Sequence, residues 1–151
     1  MKNKIFNNVI VMVLSATISA FANENGEKQA VTKVVEEAYV QGVHANPSGE
    51  AMRKGFHQDF IMFVFDAGKI NKVTRDEWIS RIDAAKAKNS NSPKPEIKAE
   101  FPLVEITGNA AVVKVELHRN GKHIFSDYLS LYKFDDGWKI IGKIFYRHPA
   151  S

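Results

Sequence analysis

From Ile97 to Arg147 the chain is written as four runs of alternating apolar and polar residues, cut three times by turn signals. No other feature constrains the fold as strongly. Alternation with period two lets a strand bury one face and wet the other, and short turns make successive strands run antiparallel. In the first run Ile97, Ala99, Phe101 and Leu103 alternate with Lys98 and Glu100. Beside Pro102 the apolar phase passes to Val104 and Ile106, the mark of a bulge or bend. Gly108-Asn109 turns the chain. Ala111, Val113, Val115 and Leu117 then alternate with Lys114, Glu116 and His118, and Asn120-Gly121 is a strong hairpin turn. The last hairpin turns at Asp135-Asp136-Gly137.

That last hairpin carries an oddity. Phe125, Asp127, Leu129 and Leu131 share one face of the strand before the turn, and Ile141, Lys143 and Phe145 share one face of the strand after it. An acid and a base thus sit among hydrophobes. Pairing the strands about the turn sets Asp127 opposite Phe145 and Leu129 opposite Lys143, so the two charges become diagonal neighbours. Each is tolerated because the other is there. Asp127 is then either a general base or polar anchor, with Lys143 stabilising an oxyanion or keeping the carboxylate ionised, or half of a structural pair that fixes strand register.

Ahead of the sheet, Val31, Val34, Val35, Ala38, Tyr39 and Gly42 recur at helical spacing between Glu27 and His44, while Lys33, Glu36, Glu37 and Gln41 fall outside the stripe. The same wheel puts His44 on the polar side. Asn46-Pro47-Ser48-Gly49 ends this helix, and a short one over 50–54 leads into FIMFVF, residues 60–65, whose unbroken apolar run predicts a strand covered on both faces. Asp66-Ala67-Gly68 turns into a second strand over 69–73. Thr74 and Glu77 match a capping box, so a helix starts at Arg75 and runs to about Lys88, burying Trp78, Ile79 and Ile82. The polar stretch NSNSPKP then ends it.

Helix, short helix, two strands, helix and a four-strand meander make an α+β arrangement, a curved antiparallel sheet with the N-terminal helices packed on its concave face. With that order, YVQGVHAN at the end of the first helix, GFHQDFIMFVF into the first strand and the closing SDYLSLYKFDDGWKIIGKIF resemble the nuclear-transport-factor-2-like superfamily. Within it the chain is similar to small bacterial proteins called putative lumazine-binding, near the SnoaL-like polyketide cyclases. The resemblance implies a cone-like fold with a ligand cavity between sheet and helices, and a homodimer formed through the outer sheet face. It does not imply one reaction, because the superfamily holds isomerases, cyclases, dehydratases and a transport factor.

Several residues are candidates for such a cavity. Tyr39, Phe63, Phe65, Trp78 and Tyr128 either line a pocket for a small hydrophobic or aromatic molecule or belong to the core. His57, between Phe56 and Phe60, either assists Asp127 and Lys143 or bonds the backbone at the start of a strand. No cysteine and no short histidine spacing supports a metal site, and no motif calls for a cofactor. Serine-elbow, phosphate-loop and dinucleotide signatures are missing, which argues against hydrolase, kinase and dehydrogenase.

The first 22 of the 151 residues read as a signal peptide: Lys2 and Lys4, the apolar run from Val9 to Ile18, and the small residues Ala20 and Ala22 before a cut. The run falls short of the ~20 residues a spanning helix needs. With it go two lysines and no acid, so the net charge drops from +4 to +2 over a domain at 23–151. Basic residues scattered among acids do not make a nucleic-acid surface. The sequence therefore predicts an exported, periplasmic or secreted small-molecule-binding protein, off the membrane after cleavage. The alternatives are an acid/base isomerase, dehydratase or cyclase using Asp127, and a non-catalytic dimeric interaction module.

Overall fold

A computed structural model describes residues 24–88 and 93–149, so the predicted signal peptide lies outside the described residues. The first helix, α1, is α-helical over 24–34 and continues as a π-helix over Val35–Ala45. It is followed by α2 (Gly49–Gly55), β1 (Phe56–Asp66), β2 (Lys69–Thr74), α3 (Arg75–Lys88), β3 (Ile97–Thr107), β4 (Ala110–Arg119), β5 (Lys122–Phe134) and β6 (Gly137–Arg147). Among the described residues, no helix is long and apolar enough to cross a membrane.

The strands form one sheet in the order β2-β1-β6-β5-β4-β3. Its last four are the predicted meander. The sheet is mixed rather than wholly antiparallel, because β1 lies parallel to β6. That follows from the chain path: β1 reaches β6 through β2, α3 and the meander, and such a long connection is free to bring a strand in parallel. The capping box forms as expected, with Glu77 Oε2 accepting from the Thr74 backbone N–H at 2.8 Å while Thr74 Oγ1 accepts from the Glu77 N–H at 3.3 Å. Pro102 sits in a register shift between Glu100 and Leu103, and Leu103 ends on the exposed side.

The helices cover one face of the sheet. Val31, Val35, Ala38 and Tyr39 of α1, Met52 of α2 and Ile79 of α3 bury against Phe56, Phe60, Val113, Val115, Leu117, Leu129, Leu131, Trp138 and Ile140. Gly55 lets α2 close on α1, since a Cβ there would lie 2.3 Å from Ala38 Cβ. The outer face carries no helix among the described residues. FIMFVF is therefore covered on one side only. Phe60 and Met62 point inward, while Phe63 is 38% and Phe65 75% exposed, as a period of two requires.

Asp127 pairs with Phe145 and Leu129 with Lys143, as counted from the turn. The turn itself is tighter than the count assumed, with Phe134 paired to Gly137, and the extra residue is Ile141, bulged out between the pairs Leu131–Ile140 and Ser130–Gly142. Ile141 consequently leaves the face it was expected to share with Lys143. It lines a shallow outer groove with Val112, Ser130 and Tyr132.

Candidate functional site

Asp127 and Lys143 are 0% and 5% exposed. The Lys143 ammonium donates to Asp127 Oδ1, and the Tyr39 hydroxyl donates to Asp127 Oδ2 at 2.5 Å, so both carboxylate oxygens are satisfied inside the core. The ammonium also lies 3.9 Å from the centroid of the Phe145 ring and 5.4 Å from that of Tyr39. Aromatic faces replace part of its lost hydration. Burial pushes Lys143 below its ordinary value, against the charge and hydrogen bond of Asp127. Burial, followed by the Asp127 charge, pushes the Tyr39 phenol well above 10, so it stays protonated and keeps donating.

Tyr39 owes a second contact to the winding of α1. In a π-helix each turn closes at i→i+5, and the Asn46 N–H still bonds the Gln41 carbonyl at 2.8 Å in that pattern. Residues five apart then share a face. Tyr39 and His44 meet edge to face, with ring centroids 5.0 Å apart and planes at 89°. His44 thus turns inward, against the reading of a regular helical wheel, and its Nε2 is buried without a hydrogen-bond partner. Burial first, then the positive charges of Lys143 and Arg119, lower its pKa to about 3, so the ring is neutral near pH 7.

His44 also walls a cleft of about 510 Å³ between the end of α1, α3 and β4, with Asn46, Ile82, Lys86, Pro95 and Arg119 around it. It belongs to both places. The Tyr39, Asp127 and Lys143 group does not itself line this cleft; His44 is what joins them. A larger cavity of about 650 Å³ lies between α1, α2 and the β5–β6 turn. Within it Glu27 takes Lys133 Nζ at 2.6 Å and Trp138 Nε1 at 2.8 Å. Neither the acid–base pair nor His44 reaches it.

The predicted site residues therefore separate. Asp127, Lys143, Tyr39 and Trp78 come together, Trp78 packing its ring near Tyr39, Phe56 and Phe60 at 6.2, 5.7 and 5.8 Å. Phe63, Phe65 and Tyr128 stand exposed on the outer face, away from the helices. His57 stacks on Phe134 with centroids 4.6 Å apart, and its Nδ1 accepts from the Asp59 backbone N–H at 3.2 Å. Phe134 is seven residues from Asp127 along β5, on the order of 20 Å, so His57 assists neither charge. Two groupings were hidden from sequence spacing. One is His44; the other is Glu116, His123 and His148 on the outer face, whose ligand-type atoms lie within 4.8 Å of one another. The absence of short histidine spacing in the sequence does not bear on the second, because strand register rather than local spacing assembles it.

The family described as putative lumazine-binding matches residues 26–146. Among curated proteins, an aldolase, FrzH from a Cladobotryum species, is 27% identical over 113 residues, covering 74% of this chain and 84% of that protein. Among solved structures, an NTF2-like protein of unknown function from Shewanella baltica superposes with a TM-score of 0.68 at 25% identity, over 83% of this chain and 96% of that one. Another, from Methylobacillus flagellatus, gives 0.60 at 27% identity, over 80% and 91%.

Proposed function

The chain belongs to the putative lumazine-binding family and has an NTF2-like fold, and from that premise we propose that it binds a small, largely apolar or aromatic molecule in the cleft beside His44. The observation that carries this reading is the buried, unpartnered Nε2 of His44. A polar atom without a partner costs about 1–3 kcal/mol, and a ligand hydrogen-bonding group that meets the ring from the cleft and turns Nε2 toward itself would recover that. Tyr39 and Phe125 hold the ring from behind, and Tyr39 is itself fixed by Asp127. We further propose that the protein is exported, on the strength of its first 22 residues, and that it pairs with a second copy through the outer sheet face, where Tyr128, Tyr132, Ile144 and Tyr146 are exposed.

The similarity to an aldolase favours one second reading, acid/base chemistry at a carbonyl compound. Removing a proton next to a carbonyl needs a base poised near the working pH and a donor for the enolate oxygen. Lys143 and the Tyr39 phenol are donors of the right kind, but Asp127 is occupied by both, and His44 with a pKa of about 3 is too weak a base near pH 7. Binding is therefore the leading reading.

Native mass spectrometry of protein purified gently from the exported fraction tests it. A small-molecule adduct, lost on denaturation and lost in a His44→Leu variant that keeps its sheet signal, is the expected result. An adduct retained by His44→Leu would place the ligand elsewhere, and a bare wild-type mass at saturating lumazine and steroid-like probes would sink the binding reading.

A further inference from the structure

We propose that Glu116, His123 and His148 form a binding site for one divalent transition-metal ion of the zinc type on the outer face of the sheet. The site lies across the sheet from the cleft and is independent of the ligand reading. Each residue sits on or directly after a strand. Glu116 is on β4 opposite Ser126 of β5, Ser126 is opposite Tyr146 of β6, and His148 follows two residues on, its backbone N–H tied to the Ile124 carbonyl at 3.0 Å. The frame is therefore rigid, which a preorganised metal site requires.

The side chains already converge. His123 Nε2 lies 2.8 Å from Glu116 Oε2, Ser126 Oγ donates to the same oxygen, and Ser126 Oγ is 2.9 Å from His148 Nε2. The two imidazoles stack with centroids 3.7 Å apart and planes at 28°. All three ligand atoms fall within 4.8 Å of one another, and ligands on a single zinc stand roughly 3.3 Å apart, given bond lengths near 2.1 Å. Closing that difference takes χ rotations that open the stack, because each imidazole binds an ion in its own ring plane. Because the serine and His123 both donate to the carboxylate, each histidine presents an Nε2–H here. Metal binding moves those protons to Nδ1, a tautomer change that neutral imidazole permits.

Donor chemistry selects the ion. Two imidazoles and one carboxylate suit zinc, copper, nickel or ferrous iron, whereas calcium and magnesium want mostly oxygen ligands. All three residues are half-buried, which leaves the remaining coordination positions to water. Outer-shell groups are in place as well: Lys114 Nζ holds Glu116 Oε1 at 2.6 Å, leaving Oε2 for the ion. Beside the cluster, the ring of His118 stacks on His123 at 4.6 Å with its Nδ1 buried and without a partner, a polar atom that a nearby ion with its bound water would satisfy.

Isothermal titration of the full mature chain with zinc chloride tests the assignment, using His123→Ala, His148→Ala and Glu116→Gln, with His57→Ala as a control histidine. One zinc per chain is expected. Each of the three variants should weaken it about tenfold or more, by the scale of changes at metal sites, while His57→Ala leaves it unchanged. His148 lies beyond the last strand, so His148→Ala leaves the core intact and its result stands even if Glu116→Gln fails to fold. Binding that survives His148→Ala, or that falls equally in His57→Ala, overturns the site, as does a wild-type chain that takes up no zinc.

Discussion

Replacing Asp127 by asparagine changes almost no volume but removes the only anion among the described residues that faces Lys143 in the core. The ammonium would keep its aromatic neighbours and lose its carboxylate, with 5% of its surface exposed for water to compensate. Breaking a buried pair from one side costs about 3–5 kcal/mol. For a domain of this length each kcal/mol moves the melting temperature by roughly 3–5 °C, so Asp127→Asn should melt on the order of 10–20 °C below wild type. The loss should also depend on pH in a defined sense. Lys143 is already pushed down by burial, and without Asp127 nothing named opposes that push. The unfolded lysine, with its ordinary value of 10.5, then binds more protons than the folded one, so the variant gains stability as pH rises toward 10.5. The double variant Asp127→Asn, Lys143→Met removes the stranded charge and should recover most of the loss. Urea titrations followed by circular dichroism, from pH 6 to 10, measure all three chains. If Asp127→Asn sits within about 1 kcal/mol of wild type, or if the double variant is no better than the single, the charges are not coupled and the reasoning fails.

His44 gives an acid-side counterpart. Its pKa falls from 6.5 to about 3 on folding, so its contribution to stability is complete above 6.5 and is lost as pH falls from 6.5 through 3. His44→Leu should flatten that limb of the stability curve in urea titrations, and an unchanged limb would show that the ring is solvated. On the outer face, Ile144 is 55% exposed between Tyr128 and Tyr146, and Ile144→Lys should convert a dimer to monomer in analytical ultracentrifugation with the melting curve little altered. A sedimentation coefficient that stays put would remove that face as the dimer contact.

The meander, its turns, the capping box and the buried pair were legible because each rests on a local rule: alternation, turn chemistry, or a count of residues from a hairpin. What escaped depends on long-range or irregular geometry. The parallel β1–β6 pairing is set by a path through five intervening elements. Glu116, His123 and His148 are distant in sequence and meet only through two strand registers. His44 was misplaced because a wheel of 3.6 residues per turn was applied to a stretch that winds as a π-helix; no residue in VEEAYVQGVHA announces that change. Phe63 and Phe65 were read as covered because an apolar run does not say which of its faces has a partner.

The bulge at Ile141 connects these cases. Before it, Trp138 and Ile140 point inward; after it, Lys143 and Phe145 do. A strand of strict alternation from Trp138 would have sent Gly142 and Ile144 inward and Lys143 out to the wet face, where it would need no partner. The single extra residue shifts the phase, and that shift is what puts an ammonium into the core beside Asp127 and beneath Tyr39. It also sends Ile144 and Tyr146 outward, and places His148 on the side of Glu116 and Ser126. The irregularity in β6 thus puts Lys143 with Asp127 on the inner face and His148 on the outer one, while a second shift, between β4 and β5 at Leu117 and His118, turns His123 to the side of Glu116. The sequence reading reached the right pair because it assigned the extra residue to the turn. Either location gives the same register beyond Gly142, but only the bulge leaves Trp138 and Lys143 facing the same core.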